Sequence, residues 1–282
     1  MRSFIIICAF AFCFFQLEAQ KPEIGMVQDF ERDSLLHASG YAYLSESVGK
    51  CFSPKNVSDQ QFRRNLNAIK RLKTKLIACN IFIPAELKLV GPDVHEAAIL
   101  AYAEVVFQRS REAGMKLIIW GSGGARRVPE GFDPAKAKRQ FIAIARTVSA
   151  LAQQYDVVLA LESINHTETN FINTLEEAYE IVRAVDHPNF RLSADIYHML
   201  KENEPPSVIE KCGKYLVNCE IAEKENRTPP GVQGDDFRPY LKALKKIHYK
   251  GKIMMECRWE NLVQQAAPAN KYLKGEIDEV FD

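Results

Sequence analysis

Four short apolar runs in the second half of the chain each end in an acid. Val157–Leu161 leads into Glu162, Phe190–Ala194 into Asp195, Leu216–Cys219 into Glu220 and Lys252–Met255 into Glu256. A continuous apolar, β-branched run reads as a strand buried on both faces, the pattern of a parallel sheet. A carboxylate at the end of such a strand is costly to desolvate unless a cation or hydrogen-bond donors meet it. A single strand-end acid is usually a local cap or ion-pair partner. Four in register imply a ring of carboxylates at one mouth of a barrel, where convergent acids repel until one takes a proton or a metal neutralises them. Three or four oxygen ligands suit Mg²⁺ or Mn²⁺, with some tolerance of Ca²⁺ or Zn²⁺.

Other polar residues follow these acids closely. Glu168 comes shortly after Glu162, His198 one short turn after Asp195, and Arg227 in the loop beyond Glu220. A lone histidine is more often a structural hydrogen-bonding residue. His198, so soon after a strand-end acid, is expected to face the same pocket. Arg227 offers a fork of donors to hydroxyl or carbonyl oxygens; its plainer alternative is a solvated surface side chain.

These residues need a frame, and strand and helix patterns alternate along the whole chain. The first half reads as strands at Ile24–Val27, Tyr41–Leu44 (ending near Glu46), Leu76–Ile83 and Lys116–Trp120. Between them come helical patterns at Glu31–His37, after a Ser58 cap, at Val94–Ala113 closed by Gly114, and from Pro134 to Tyr155. In the second half, helices are expected at Thr174–Val185, Pro206–Tyr215 and Asp235–Ile247, with a last one near Asn270–Val280. Eight strand–helix units in about 260 residues argue for a single-domain (β/α)8 barrel. A doubly wound sheet would normally carry a GxGxxG after its first strand, and nothing after Ile24–Val27 fits.

The opening residues have a different composition. Arg2, the apolar run Phe4–Phe15 and the small residue Ala19 read as a secretory leader, residues 1–19, cut after Ala19. The run is too short to span a bilayer comfortably. The expectation is an exported protein, periplasmic or secreted, comprising residues 20–282 and not inserted in a membrane. Lys+Arg 37 against Asp+Glu 36 leaves a net charge of +1, which argues against a nucleic-acid partner. Beyond the leader the cysteines are Cys51, Cys79, Cys212, Cys219 and Cys257, an odd set without CxxC spacing, so a disulfide framework is not expected. Asn56, Asn165 and Asn226 open glycosylation sequons; two fall beside the proposed site, where a glycan would block it, and are read as chance matches.

The spacing Leu161-Glu162…Glu168, Ala194-Asp195…His198, Glu223…Arg227…Pro230-Gly231 and Met255-Glu256 resembles the xylose-isomerase-like TIM-barrel superfamily. The likeness runs over nearly all the chain after the leader and is strongest from Val157 to Trp259. That superfamily includes ketose 3-epimerases, sugar isomerases, inosose dehydratases and endonuclease IV. Gly121–Glu130 also resembles a loop of its exported or sugar-processing branches; its glycines let backbone N–H groups approach a ligand, with Arg126 or Arg127 adding charge.

The resemblance implies that Glu162 and Glu256 are the catalytic pair, moving a proton on opposite faces of a keto sugar. It implies that Glu162, Asp195 and Glu256 hold a metal and that Glu168, His198 and Arg227 grip the substrate. One position departs from the pattern: the family normally has a histidine where this chain has Glu220, in Glu220-Ile221-Ala222-Glu223. The ligand set would then be Glu162, Asp195, Glu220 and Glu256, all oxygen, which favours a hard cation over imidazole-seeking metals.

The expected function is a metal-dependent (Mn²⁺ or Mg²⁺) keto-sugar epimerase or isomerase working through an enediolate. The first alternative is a lyase or hydratase on 3-keto-glycosides or 2-hydroxyglucal-type sugars, using the same residues. The second is a metal-free exported sugar-binding barrel. A nuclease of the endonuclease IV kind would need a cluster of histidines for several zinc ions, and the chain has 6 His. The expected partner is a small sugar, with a homo-oligomer left open.

Overall fold

A computed structural model describes residues 20–282. The leader read in residues 1–19 lies outside the described residues. Eight parallel strands close into a barrel in chain order: β1 (Ile24–Val27), β2 (Tyr43–Ser47), β3 (Lys75–Asn80), β4 (Leu117–Trp120), β5 (Val158–Glu162), β6 (Phe190–Asp195), β7 (Leu216–Ile221) and β8 (Ile253–Met255). β8 returns to pair with β1, which leaves no open edge. The (β/α)8 reading holds.

Most of the core lies between the strands and the surrounding helices. Trp120, fully buried, packs its ring 5.2 Å from Phe82, 5.5 Å from Phe141 and 6.0 Å from Phe190, joining elements from four parts of the chain. The inside of the barrel is small by comparison, with Ala78, Ile119 and Ala160 packed against Leu117 and Val217. At β1 the interior needs a glycine. A Cβ on Gly25 would collide with the Met254 side chain, which fills that space.

Helix starts follow the expected chemistry. Ser58 accepts a hydrogen bond from Gln61 N, and Thr174 with Glu177 forms a capping box. Pro134 opens its helix behind an Asp133 cap. Several boundaries differ by three residues or more; the helix expected at Asp235–Ile247 begins at Arg238, and the α-helix expected at Pro206–Tyr215 ends at Cys212. β3 stops at Asn80 rather than Ile83, because Ile81 turns left-handed at φ 53°. The last helix runs Leu262–Phe281 and so begins well before Asn270. Pro268 lies inside it, yet Ala266, Ala269, Leu273 and Ile277 bury one face and carry the helix through the missing hydrogen bond. The five cysteines among the described residues are all free, and of these only Cys257 is partly exposed. Among the described residues no helix is long and apolar enough to cross a membrane.

Candidate active site

Side chains along a strand alternate between its two faces, so an acid two residues beyond an inward-facing residue also points inward. Ala160 lines the barrel interior and Glu162 follows it; Met254 lines the interior and Glu256 follows it. Glu220 needs an extra device. The β6–β7 register runs Leu192↔Leu216 and then Ser193↔Asn218, so Val217 is an inserted bulge residue. The bulge resets the alternation, and Asn218 and Glu220 face the interior beside Ser193 and Asp195.

The four acids meet. Ligand oxygens of Glu162, Asp195, Glu220 and Glu256 all lie within 4.8 Å of one another. Asp195 and Glu220 are each 1% exposed and Glu162 7%. Burial, then repulsion from Glu256 and Asp195, pushes the Glu162 carboxyl well above its ordinary range. Glu220 is raised the same way by burial and then by Glu162 and Glu256. Burial also raises Asp195 and Glu256, against the pull of Arg227.

Three of the acids have donors. Tyr197 N donates to Asp195 Oδ1 at 2.8 Å, and Asn80 Nδ2 to Glu256 Oε1 at 2.8 Å. Asn218 Nδ2 donates to Ser193 Oγ at 2.9 Å, and Ser193 Oγ donates to Glu220 Oε2 at 3.0 Å. Among the described residues none donates a hydrogen bond to the Glu162 carboxylate. A buried, undonated carboxylate among three others fits a hard divalent cation, because the attraction of such a charge is what repays their desolvation.

Arg227 supplies one positive charge. Its Nη2 pairs with Glu256 and lies 3.3 Å from Asp195 Oδ2; its Nε donates to Glu256 O at 2.9 Å. The guanidinium lies 4.6 Å from the centre of the Tyr197 ring, a cation–π contact. Burial works against this charge, but Glu256, Asp195 and the other acids outweigh it and hold the group protonated. Asn226 and Arg227 both have left-handed backbones, and Glu223 secures their loop by accepting from Gly231 N, Gly234 N, Gln233 N and Thr228 Oγ1. Glu223 is therefore a loop clamp.

His198 is 2% exposed, and its Nδ1 accepts from the backbone N of Asn165 at 3.2 Å. With Nδ1 an acceptor, the neutral ring carries its hydrogen on Nε2, which faces Asp195 Oδ2 at 3.4 Å and Glu162 Oε1 at 3.6 Å. Burial, with Arg227 nearby, lowers its pKa to about 3, so the ring stays neutral. This tautomer, assigned from the hydrogen bonds, makes His198 a donor into the pocket and not a metal ligand. Asn165, whose side chain also contacts Glu168 Oε1 at 3.1 Å, is fully buried, and its sequon is a chance match. Glu168 stands half-exposed at the rim, 4.0 Å from Arg227 Nη1.

The Gly-rich loop shapes one side of a cavity of about 240 Å³ that holds Glu162, Glu168, His198, Arg227 and Glu256. A Cβ on Gly121 would overlap Glu162 Oε2. Arg126 does not reach the ligand space, contrary to the sequence expectation. It is fully buried, donating to Glu162 O at 2.8 Å and Ile172 O at 3.2 Å, because Gly123–Arg126 forms a helical turn that points it inward. Arg127 is spent on Glu168 O. The carboxylate cluster and the cavity beside it thus bring together every acid, histidine and arginine expected from sequence except Arg126 and Arg127. Asn80, Ser193, Asn218 and Tyr197 were not foreseen; as neutral residues, nothing in their local pattern distinguishes them from ordinary strand or helix positions.

A profile of the xylose isomerase-like TIM barrel family matches residues 35–278. The chain belongs to this family. It is 32% identical over 125 residues to the D-psicose 3-epimerase of Enterocloster bolteae, a match covering 44% of this chain and 40% of that protein. It is 30% identical over 152 residues to the L-ribulose 3-epimerase of a Methylomonas species, covering 47% and 53%. The chain thus spans about half or less of the length of these two curated relatives. The fold is shared with the E. coli 3-keto-D-glucoside 4-epimerase, at TM-score 0.76 and 20% identity, covering 90% of this chain and 100% of that one.

Proposed function

We propose that this chain is a keto-sugar epimerase or isomerase that moves a proton on a carbon next to a carbonyl. The observation that carries the reading is the convergence of Glu162 and Glu256 in one cavity with Arg227 and His198, two hydrogen-bond donors placed to meet sugar oxygens. Similarity to ketose 3-epimerases supports it. Glu162 and Glu256 serve as the pair, one removing the proton and the other returning it from the opposite face. The intermediate is an enediolate. Arg227 and the His198 Nε2–H hold the oxygens beside the reacting carbon, and Glu168 grips a hydroxyl at the rim.

Glu162, Asp195, Glu220 and Glu256 would hold a divalent cation, Mn²⁺ or Mg²⁺. When bound it supplies Lewis acidity that stabilises negative charge on the substrate's oxygens. We further propose that residues 1–19 direct export, which favours a neutral sugar over a phosphorylated one.

The test is NMR in D₂O with Mn²⁺ or Mg²⁺ and a panel of keto sugars and 3-keto-glycosides. Deuterium incorporation at carbon is the expected result. No exchange with any substrate, with the metal bound, would remove the reading. A lyase or hydratase outcome from the same residues is the second reading, favoured by the exposed apolar Ile81 on the wall of the cavity; release of an aglycone would identify it.

A further inference from the structure

Ile81 combines two unusual features. It follows β3 with φ 53°, a region that a β-branched residue rarely enters, and the residue is 58% exposed. Its neighbours explain the backbone. The Asn80 side chain is committed to Glu256, Phe82 is fully buried with its ring 5.3 Å from Phe107, and Ile83 N donates to Ser122 Oγ at 2.8 Å. Between an anchor pointing into the barrel and one pointing outward, the chain must reverse at Ile81. Strain of this kind persists where the surroundings over-determine it, and it clusters at ligand sites.

The turn accounts for the backbone and not for the side chain. Gly or Asn would adopt this conformation more readily, and an isoleucine held open to water gains nothing from burial. Its position supplies the reason. Ile81 lines the same cavity as Glu162, Glu256 and Arg227. Ile83, Ala85 and Ile164 also line it, while Gly121, Gly123 and Gly124 leave their part of the wall without side chains. One cavity thus joins polar side chains (Glu162, Glu168, His198, Arg227 and Glu256) to an apolar wall on which Ile81 is the large exposed side chain.

We propose that Ile81 is a platform for an apolar substituent of the substrate, so that the ligand is a keto-glycoside carrying an apolar aglycone rather than a free ketose. The sugar oxygens meet Arg227 and His198, and the aglycone covers Ile81. This assignment rests on the keto-sugar reading and narrows its substrate class.

The experiment compares phenyl and methyl 3-keto-β-D-glucosides by titration calorimetry on the Mn²⁺-loaded protein, native and Ile81→Asn. Asparagine suits the left-handed backbone, so the variant should melt no lower than the native protein. The native protein should bind the phenyl glycoside about tenfold more tightly, the worth of roughly two buried methylene groups, and Ile81→Asn should bring that ratio to about two. A native protein without preference for phenyl, or a variant that keeps the full preference, would overturn the assignment while leaving the sugar reading in place. If neither glycoside bound, both would fall.

Discussion

Gly121→Ala tests the geometry of the acid cluster with a single methyl group. The backbone at Gly121 is outside the left-handed region, so alanine is tolerated there and only space is at issue. The added Cβ would overlap Glu162 Oε2 and lie 3.1 Å from Ile164 Cδ1. Glu162 has no hydrogen-bond donor to hold it in place, so its carboxylate is the group that gives way. A displacement of about 1 Å in a catalytic group costs on the order of 10²-fold in rate. Turnover by deuterium exchange should therefore fall about 100-fold, equivalent to ~2.7 kcal/mol in the barrier. Mn²⁺ affinity should weaken in parallel. Stability should change little, because the crowded group is the end of a side chain. Gly123→Ala is the matched comparison. Its Cβ would meet Ile164 Cδ1 and Thr169 Cβ at 3.4 Å, an ordinary contact, so the loss there should be less than about tenfold. Equal rates for native protein and a folded Gly121→Ala, within about threefold, would show that Glu162 is not where the chemistry needs it.

Three further outcomes are expected. Glu256→Gln should abolish deuterium incorporation with the circular dichroism spectrum unchanged, since the amide keeps the shape and loses the base; retained exchange would remove Glu256 from the acid–base pair. Glu220→His should shift affinity toward Zn²⁺ or Ni²⁺ relative to Mg²⁺ by at least about tenfold, read by competition with a chromophoric chelator. An unchanged preference would mean that Glu220 is not a ligand. Glu276, away from the site, is pushed up to about 7 by burial against the hydrogen bond from Phe237 N. The folded protein holds that proton more tightly than the unfolded chain, so stability falls as pH rises from near 4.5 toward 7. Glu276→Gln should flatten that part of the curve in thermal melts, and a curve identical to native would refute the assignment.

Much of the site was legible because its signals are local. A buried strand is a short apolar run, and an acid at its end stands out against the cost of burying it. Glu162, Asp195, Glu220 and Glu256 could therefore be picked out one strand at a time. The neutral partners could not. Asn80 is an unremarkable strand residue until Glu256, from the other end of the chain, arrives within 2.8 Å. Arg126 looked like a ligand-facing cation because a Gly-rich loop usually opens to ligand; the helical turn Gly123–Arg126 instead aims it at two backbone carbonyls.

By itself the sequence determined the alternation of strand and helix, the closure of eight units into a barrel, and the presence of an acid at four strand ends. The alternation and the strand-end acids follow from periodicity and burial, which each segment expresses alone, and the barrel follows from the number of strand–helix units. Only the tertiary structure decided which way the acids point and what surrounds them. Plain alternation along β7 would group Glu220 with the outward-packed Leu216, and the bulge at Val217, visible only in the pairing with β6, turns it inward. The tautomer of His198 and the left-handed turn at Ile81 are likewise set by partners distant in the chain, Asn165 for the first and Glu256 and Ser122 for the second. A side chain's direction depends on which neighbouring strand fixes its register, and that information is not carried in any one segment.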